Sequence, residues 1–292
     1  MVKKYAELYL DARRELLPTE GDRAGFLARE LLAAASNQSV ESVLAHRELY
    51  ASEEVENRLN AYLRRVRGGE PLAYLLGVWP FHGLSLTITP DVLIPRDDTE
   101  TVTALAIHAV KLCPVERPRV LDLCTGSGCI GLAVASEVPD AVVTLGDVSE
   151  AALKVARLNI QAHHLTGRVK ALRVDAMAPA TAFLGKFEMI VANPPYVTTA
   201  EMEALEPSVR EFEPHLALWG GEDGLDFYRA IVKNYVPALR KGGYVALEFG
   251  QGQETAVCGL LEEADLKILE VKADLGGIPR AVLARDPRED EL

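Results

Sequence analysis

Beyond Pro118 the sequence alternates between short apolar runs and longer segments of helical periodicity, and this alternation constrains the fold more than any other feature. Repeated strand and helix units of this kind predict an α/β domain with a mostly parallel, doubly wound sheet. The apolar runs predict strands at 119–124, 141–147, 169–174, 187–192, 244–249, 266–271 and 281–284. The intervening segments predict helices at 128–138, 150–163, 224–239 and 254–263.

The chain before Pro118 has a different character. Residues 1–70 contain four groups of apolar residues at helical spacing, which predict a small all-helical domain that docks a partner and carries no chemistry. Residues 71–97 predict a linker with a β-hairpin, in which Leu84 to Ile88 alternate as a strand and residues 91–94 pair back. Residues 98–292 then form the main domain, and its first helix is capped by Asp97 or Asp98 and runs to Leu112.

Charge and composition exclude several functional classes. The 292 residues carry a formal net charge of −12, which disfavours a protein that tracks nucleic-acid phosphates. The four cysteines show no C-x-x-C pair, so we predict reduced thiols, no disulfide framework and no metal site. No apolar run approaches the roughly 20 residues that span a bilayer, and no signal peptide is recognisable. These features predict a soluble, cytoplasmic protein that contacts neither membrane nor nucleic acid.

Polar and glycine residues follow the predicted strands at the point where each strand ends. They are Asp122, Gly126, Asp147, Asp175 and Asn193. In doubly wound sheets ligands bind at the carboxyl ends of the strands. The sequence therefore predicts one site at this edge of the sheet.

The turn from Asp122 to Gly128 predicts a nucleoside cofactor. Gly126, Gly128 and Gly131 fit G-x-G-x-x-G, and Asp147 lies 147 − 128 = 19 positions after the second glycine, where a carboxylate that binds ribose is expected. This spacing leaves a dinucleotide and S-adenosylmethionine open. A carboxylate at Asp122 favours a cationic ligand, and hence S-adenosylmethionine.

Each aspartate also has a plainer interpretation. Asp147 is predicted to bind the ribose hydroxyls and Asp175 the adenine amino group, whereas the alternative for either is a helix cap or a loop turn.

The stretch Asn193-Pro194-Pro195-Tyr196 predicts an acceptor site for a planar NH2 group. Two prolines make a stiff turn whose carbonyls cannot enter a helix, so the Asn193 side chain and the Pro194 carbonyl can each accept an N–H. Tyr196 would hold the flat group. Such contacts favour a pyramidal nitrogen in a methyl-transfer transition state. The alternative is a rigid strand-to-loop corner.

The chain resembles the HemK-type release factor glutamine methyltransferases over almost its whole length. The resemblance is carried by Gly69–Tyr74, Leu93–Arg96 with Asp98, Thr99 and Glu100, Asp122–Gly128, Asp147–Ser149, Asn193–Tyr196, Glu213–Pro214 and Gly277–Arg280. The resemblance implies a helical domain that engages the protein substrate and a seven-stranded class I methyltransferase domain. It also implies methylation of the glutamine amide in the Gly-Gly-Gln loop of peptide chain release factors, with S-adenosylhomocysteine as product.

This resemblance extends the predicted site to further residues. The cofactor side comprises Asp122, Cys124, Thr125, Gly126, Ser127, Gly128, Asp147, Asp175, Ala176 and Asn193, and the substrate side comprises Asn193, Pro194, Pro195, Tyr196, Phe81, Arg96 and Glu100. Substrate contact has an equal structural alternative at three of these residues. Phe81 is equally compatible with core packing, and Arg96 and Glu100 are equally compatible with a structural ion pair.

Two residues depart from the family pattern. Asp97 replaces a usual proline, and Ala176 replaces a large apolar residue beside adenine, where Met177 is expected to compensate.

Three other functions are compatible with parts of the sequence. Methylation of a glutamine in a ribosomal protein uses the same chemistry as methylation of a release factor, and the two functions differ only in which protein the helical domain engages. Methylation of adenine in nucleic acid uses the same N-P-P-Y stretch but conflicts with the acidic charge. A non-catalytic module that binds S-adenosylmethionine or a nicotinamide cofactor would bind without turnover.

Overall fold

The alternation of strands and helices is present in a computed structural model of the protein, which describes residues 2–288. The described residues form the strands β1 Val78–Phe81, β2 Leu84–Thr87, β3 Arg119–Leu123, β4 Val142–Asp147, β5 Val169–Arg173, β6 Phe187–Ala192, β7 Leu239–Glu248, β8 Lys267–Ala273 and β9 Pro279–Arg285. The helices are α1 Tyr5–Glu20, α2 Ala24–Ser36, α3 Val40–Ala45, α4 Glu53–Arg67, α5 Leu72–Leu76, α6 Thr99–Leu112, α7 Cys129–Glu137, α8 Glu150–Ala162, α9 Thr199–Ala204, α10 Pro207–Phe212, α11 Asp226–Tyr235 and α12 Glu254–Glu263.

Seven strands form one sheet in the order β5-β4-β3-β6-β7-β9-β8. The first five in this order are parallel, and β9 pairs antiparallel with both β7 and β8. All six residues of β6 are buried because it lies between β3 and β7, which accounts for its continuous apolar sequence. With its helices, this is the predicted class I methyltransferase fold.

The chain divides into two compact units. The first comprises residues 1–77 and 207–212, and the second comprises 78–206 and 213–292. The first unit is helical, and its core contains Leu16, Leu31, Leu32 and Leu59 at 0 to 1% exposure. The sequence predicted a boundary near residue 70. The contacts of α5 extend the first unit to Gly77, and α10 returns to it from a distant part of the sequence.

The predicted hairpin exists with a different pairing. Strand β1 pairs with β2 through the two-residue turn His82-Gly83, whereas residues 91–94 form no strand. Both turn residues have positive φ, 46° and 77°, which is the geometry of a two-residue hairpin turn. The prediction of a 91–94 strand was wrong because β2 already pairs with β1, and the turn after Ile88, in which Val92 N donates to Thr89 O at 3.1 Å, leads into irregular chain.

Two other local predictions need correction. Helix α6 has the predicted end, but Asp98 has helical φ and ψ and makes no side-chain cap bond. A turn over residues 96–98 replaces the cap, since the Arg96 and Asp97 carbonyls accept from the Thr99 and Glu100 amides. The helix predicted over 224–239 ends at Tyr235, because a 3₁₀ turn over Val236–Ala238 that contains Pro237 follows it.

The hairpin turn allows a direct test of backbone strain. A Cβ at Gly83 would meet no atom within 4 Å, so Gly83→Ala changes only the backbone preference at φ +77°. We expect this change to lower the free energy of unfolding by about 1 to 2 kcal/mol. Gly167→Ala is the matched control, since Gly167 is also exposed and open but lacks positive φ. Urea unfolding followed by tryptophan fluorescence measures both, and equal effects of the two variants would contradict the proposed turn geometry.

Candidate active site

Four loops meet at the carboxyl edge of the sheet where the strand order reverses. The chain passes from β3 outward to β4 and β5 and then returns to β6 on the other side of β3. This reversal opens a crevice between the ends of β3 and β6. A cavity of about 320 Å³ lies there. Its lining includes nine of the predicted site residues: Cys124, Thr125, Gly126, Ser127, Asp147, Asp175, Ala176, Asn193 and Pro195.

The glycine turn after β3 has the backbone that its sequence predicts. Gly126 has φ +55°, and a Cβ added there would meet no atom within 4 Å, so its glycine is required by conformation and not by crowding. Gly131 is required to be a glycine for a different reason, which is the lack of space for a side chain. A Cβ there would lie 2.2 Å from Leu145 Cδ2, so the glycine allows α7 to approach β4 closely. Cys124 also has positive φ, 55°, which is uncommon for a residue with a side chain.

The amides of all three glycines are satisfied within the protein. Gly126 N donates to Asp147 Oδ2 at 2.9 Å, Gly128 N to Thr125 O at 2.8 Å, and Gly131 N to Asp122 Oδ2 at 2.9 Å. A pyrophosphate needs backbone amides that point freely at the ligand. The hydrogen bonding of the turn therefore disfavours a dinucleotide.

Asp122 holds the glycine turn together and does not line the cavity. Its side chain is fully buried, and Oδ2 accepts both from Gly131 N and from Thr125 Oγ1, the latter at 2.5 Å. Burial raises the pKa of Asp122 to about 7, against the lowering effect of these hydrogen bonds. Asp122 therefore fixes the loop geometry through Oδ2, whereas its buried Oδ1 has no hydrogen-bond partner among the described residues, and direct contact with a cationic ligand stays a prediction. Gly128, the N-cap of α7, does not line the cavity either.

Asp147 and Asp175 line the cavity and also make loop turns. Asp147 accepts from Gly126 N with Oδ2 and from Ser149 N with Oδ1, both at 2.9 Å. Burial raises its pKa. Asp175 Oδ1 accepts from Met177 N at 2.9 Å. A carboxylate has about four acceptor positions, so these bonds leave capacity for ligand hydroxyl or amino groups. Both aspartates therefore make the loop turns that the alternative interpretation predicted, and both retain acceptor positions for a ligand.

Further lining atoms fit an adenosine with a polar tail. The Ser127 hydroxyl is buried and has no hydrogen-bond partner among the described residues, and Ser127 is one of the residues that line the cavity. Such an orphaned donor is expected where a ligand supplies the partner. Beside Ala176, Met177 and Phe227 also line the cavity, which provides apolar surface where the family pattern has one large residue.

Asn193 is held with a defined amide orientation. It follows β6 directly, and its Nδ2 donates to Thr99 Oγ1 at 3.1 Å. Because the nitrogen end of the amide is committed to Thr99, Oδ1 is the end that can accept an incoming N–H. Pro195 lines the cavity, whereas Pro194 is buried and does not.

Tyr196 lies behind the cavity wall. Burial raises the pKa of its hydroxyl above the ordinary value. Its backbone carbonyl accepts from Gln253 Nε2 at 3.1 Å. The backbone of the tyrosine is therefore held by Gln253.

Phe81, Arg96 and Glu100 lie away from the cavity lining. Phe81 is 3% exposed on β1, which supports the packing alternative. Glu100 Oε1 accepts from His82 N at 3.0 Å and so holds the hairpin turn. Arg96 pairs with Glu213. Substrate contact by these residues stays a prediction, and each has a structural partner that accounts for its position.

Residues that spacing did not identify complete the site. Buried Glu213 accepts from Ile94 N at 3.1 Å and from the Arg96 guanidinium, and it joins two irregular segments that both line the cavity. Asn159, also buried, donates to the Ser127 carbonyl and exchanges hydrogen bonds with the Thr87 backbone. Glu213 lies outside the predicted strands and helices, and only the resemblance signalled it. Asn159 lies in the helix predicted over 150–163, where it is one of the buried residues.

Within residues 2–288 no group of three or more His, Cys, Asp or Glu side chains is placed to hold a metal ion. The four cysteines are free thiols. In the same residues no helix is long and apolar enough to cross a membrane.

Two family models match the chain. The PrmC N-terminal domain matches residues 7–77, and the methyltransferase small domain matches residues 97–217. Among solved structures, a methyltransferase from Pyrococcus furiosus superposes with a TM-score of 0.50 at 17% identity, covering 78% of this chain and 98% of that one. The hMettl16 catalytic domain in complex with a MAT2A 3'UTR hairpin gives 0.55 at 18% identity, covering 72% and 78%. At these identities the likeness concerns the fold alone.

Several relatives are similar over most of their length. A release factor glutamine methyltransferase of Bradyrhizobium diazoefficiens is 39% identical over 88% of this chain and 86% of its own. Those of Geobacter sulfurreducens and Moorella thermoacetica are 41% and 38% identical, over 74% and 94% of this chain and 73% and 95% of their own. Together with the glycine turn, the cavity-lining Asp147 and Asp175 and the oriented Asn193, these relatives show that the chain belongs to the release factor glutamine methyltransferase family.

Proposed function

We propose that this protein transfers a methyl group from S-adenosylmethionine to the side-chain amide nitrogen of the glutamine in the Gly-Gly-Gln loop of peptide chain release factors. The observation that carries the proposal is the orientation of Asn193. Its nitrogen is bound to Thr99, and its oxygen end is available at the edge of a cavity lined by the glycine turn and two aspartates. The relatives named above give the substrate class.

The cavity residues support S-adenosylmethionine as the methyl donor. Asp147 would hold the ribose hydroxyls, and Asp175 the adenine amino group between apolar walls that include Ala176. Ser127 would donate its unpaired hydroxyl to the polar end of the donor. The three glycine amides, all bonded internally, favour this assignment over a dinucleotide.

S-adenosylmethionine, when bound, supplies an electrophilic methyl group on a sulfonium whose neutral thioether is the leaving group. The protein has to orient a poor nucleophile, because the lone pair of an amide nitrogen is delocalised. Asn193 Oδ1 and the Pro194 carbonyl would each accept one N–H, which favours pyramidal nitrogen and directs its lone pair at the methyl carbon. As the new N–C bond forms and the C–S bond breaks, the nitrogen becomes strongly acidic and loses one proton to water, so the chain needs no strong base.

The alternatives receive less support. A ribosomal-protein glutamine requires the same site, but the relatives that match most of the chain carry release factors in their names. Adenine in nucleic acid requires a basic face, which a net charge of −12 disfavours. A module that only binds cofactor leaves the fixed amide of Asn193 without a role.

Two further assignments belong to the proposal. The helical unit would dock the release factor, in keeping with the match of the PrmC N-terminal domain model to residues 7–77. A translation factor as substrate implies a cytoplasmic enzyme that binds no nucleic acid directly.

The substrate assignment is tested with labelled S-adenosylmethionine and purified release factor. We expect label on the wild-type factor and none on a factor whose loop glutamine is replaced. A ribosomal-protein fraction and adenine-containing DNA serve as the alternative acceptors. Equal label on both release factors, or preferential label on another acceptor, would overturn the assignment.

The role of Asn193 is tested by Asn193→Ala. Loss of a group that acts mainly in the transition state is expected to lower kcat by about 10² or more. The Kd for S-adenosylhomocysteine, measured by calorimetry, is expected to stay within about threefold of wild type, because the ribose and adenine contacts are assigned to Asp147 and Asp175. Gln161→Ala, at an exposed position on α8 outside the helical unit, is the control. Weakened cofactor binding with unchanged kcat would contradict the role.

A further inference from the structure

Asn159 is a fully buried side chain on α8 whose hydrogen bonds connect three separate elements. Its Oδ1 accepts from Thr87 N at 2.7 Å, and its Nδ2 donates to Thr87 O at 3.1 Å and to Ser127 O at 2.9 Å. Thr87 is the last residue of β2, and Ser127 belongs to the glycine turn after β3. One side chain therefore joins α8, the hairpin and the glycine turn.

These three bonds fix the orientation of the Asn159 amide. Both hydrogens of Nδ2 are donated to backbone carbonyls, while Oδ1 faces a backbone N–H. A flipped amide would direct its oxygen at two carbonyls and its NH2 group at an N–H, and it would lose all three bonds. The contact geometry therefore requires an asparagine in this one orientation.

The contact of Asn159 with β2 follows from helix and strand periodicity. Asn159 and His163 are four positions apart, a rise of about 6 Å along a helix, and two positions along a strand span about 6.6 Å. His163 Nε2 accordingly lies 2.9 Å from Ser85 O, two residues before Thr87. Both side chains thus meet the edge of β2 that does not pair with β1. In the described part of the chain, no hydrogen bond joins His163 to the glycine turn.

The Ser127 carbonyl depends on Asn159 for its donor. In a regular helix this carbonyl would accept from the amide four residues later, that of Gly131. Gly131 N instead donates to Asp122 Oδ2 at 2.9 Å. A buried carbonyl without a donor is costly, so this conformation of the glycine turn relies on the Asn159 side chain.

Both ends of this link lead to the lining of the donor cavity. Ser127 lines the cavity, and its buried hydroxyl has no partner among the described residues. The chain continues from Thr87 to residues 91–93, which line the cavity as well. Asn159 therefore holds the glycine turn against the start of a second, irregular part of the same lining.

We propose that Asn159 is a positioning residue for the methyl donor, because it keeps the glycine turn and residues 91–93 in the arrangement that binds S-adenosylmethionine. This inference rests on the proposed donor and extends it to a residue outside the cavity lining. Asn159 would touch neither the donor nor the acceptor. Without its bonds, the binding arrangement is populated for a smaller fraction of the time, and the apparent Kd rises in inverse proportion.

The binding test measures the Kd for S-adenosylhomocysteine by calorimetry, at a temperature where circular dichroism shows each variant to be folded. Asn159→Ala removes all three bonds, and Asn159→Asp keeps the shape and the acceptor but removes both donors. We expect the Kd to rise about tenfold or more in both variants.

His163→Ala is the matched control, since it removes a contact with the same strand edge that does not reach the glycine turn. We expect its Kd to stay within about threefold of wild type. An equal rise in Kd in His163→Ala and the Asn159 variants would overturn the proposal, because the docking of β2 alone would then account for the effect.

Steady-state kinetics separate a positioning role for the donor from a general loss of structure. In both Asn159 variants we expect the KM for S-adenosylmethionine to rise about tenfold or more, while kcat at saturating donor stays within about threefold of wild type. A fall in kcat with an unchanged KM would contradict the proposal.

The wild-type protein reports the link directly. The chain has six asparagines, so the side-chain amide signals of ¹⁵N-asparagine-labelled protein are few, and those lost in Asn159→Ala identify Asn159. We expect both of its N–H groups to exchange with D2O more slowly than those of the exposed Asn57 and Asn60. Equally fast exchange would show that the link does not form.

The two proposals fail in distinguishable ways. If the wild-type protein does not bind S-adenosylhomocysteine, the proposed donor fails, and the positioning role fails with it. If the wild-type protein binds it and both Asn159 variants bind it equally well, only the positioning role fails.

Discussion

The parallel pairing of β3 with β6 is the contact on which the site depends. Leu123 and Ala192 are partners in this ladder, so Cys124 and Asn193 leave the sheet side by side at the same edge. The chain reaches β6 only after completing β4 and β5 on the far side of β3, which opens the crevice between the two strand ends. The topology of the sheet therefore brings the glycine turn after β3 next to the N-P-P-Y stretch after β6. Cys124 and Asn193 are neighbours although they lie 193 − 124 = 69 positions apart in the sequence.

Carboxylates fix the backbone around this crevice before they contact any ligand. Asp122 holds the glycine turn from inside, Asp147 bridges it to the end of β4, and Glu213 ties the segment around Ile94 to the cavity wall. Burial of Asp122 and Glu248 raises the pKa of each to about 7, so both acids reside where a charge is poorly solvated. Such preorganised groups avoid rearrangement during the reaction.

Much of the fold could be predicted from the sequence because the apolar residues follow clear strand and helix periodicities. The seven apolar runs, the predicted limits of β6 and α12, and the alignment of polar residues at one edge were all predicted and are all present. The errors lie where local rules compete. The strand predicted over 91–94 is absent because His82 and Gly83 adopt the turn conformation earlier, and the expected aspartate cap of α6 is absent because a turn precedes the helix.

The site was less predictable than the fold, for a physical reason. Residues such as Cys124, Asp147 and Asn193 lie at the end of a strand or directly after it, so strand prediction also locates them. Thr99, Asn159 and Glu213 make side-chain hydrogen bonds between elements that are distant in sequence, and no periodicity marks such contacts. Strand prediction also located Asp122, but the sequence did not show that its Oδ2 holds the glycine turn through Thr125 and Gly131.

The central claim is that Asn193 presents an oxygen acceptor beside a cofactor bound by the glycine turn and the two aspartates. A crystal structure of the protein with S-adenosylhomocysteine and a glutamine-containing release factor tests this claim most directly. We predict the adenosine against Asp147 and Asp175, and the glutamine amide nitrogen within about 3.2 Å of Asn193 Oδ1. A glutamine that contacts Asn193 Nδ2, or a cofactor bound away from these aspartates, would contradict the claim.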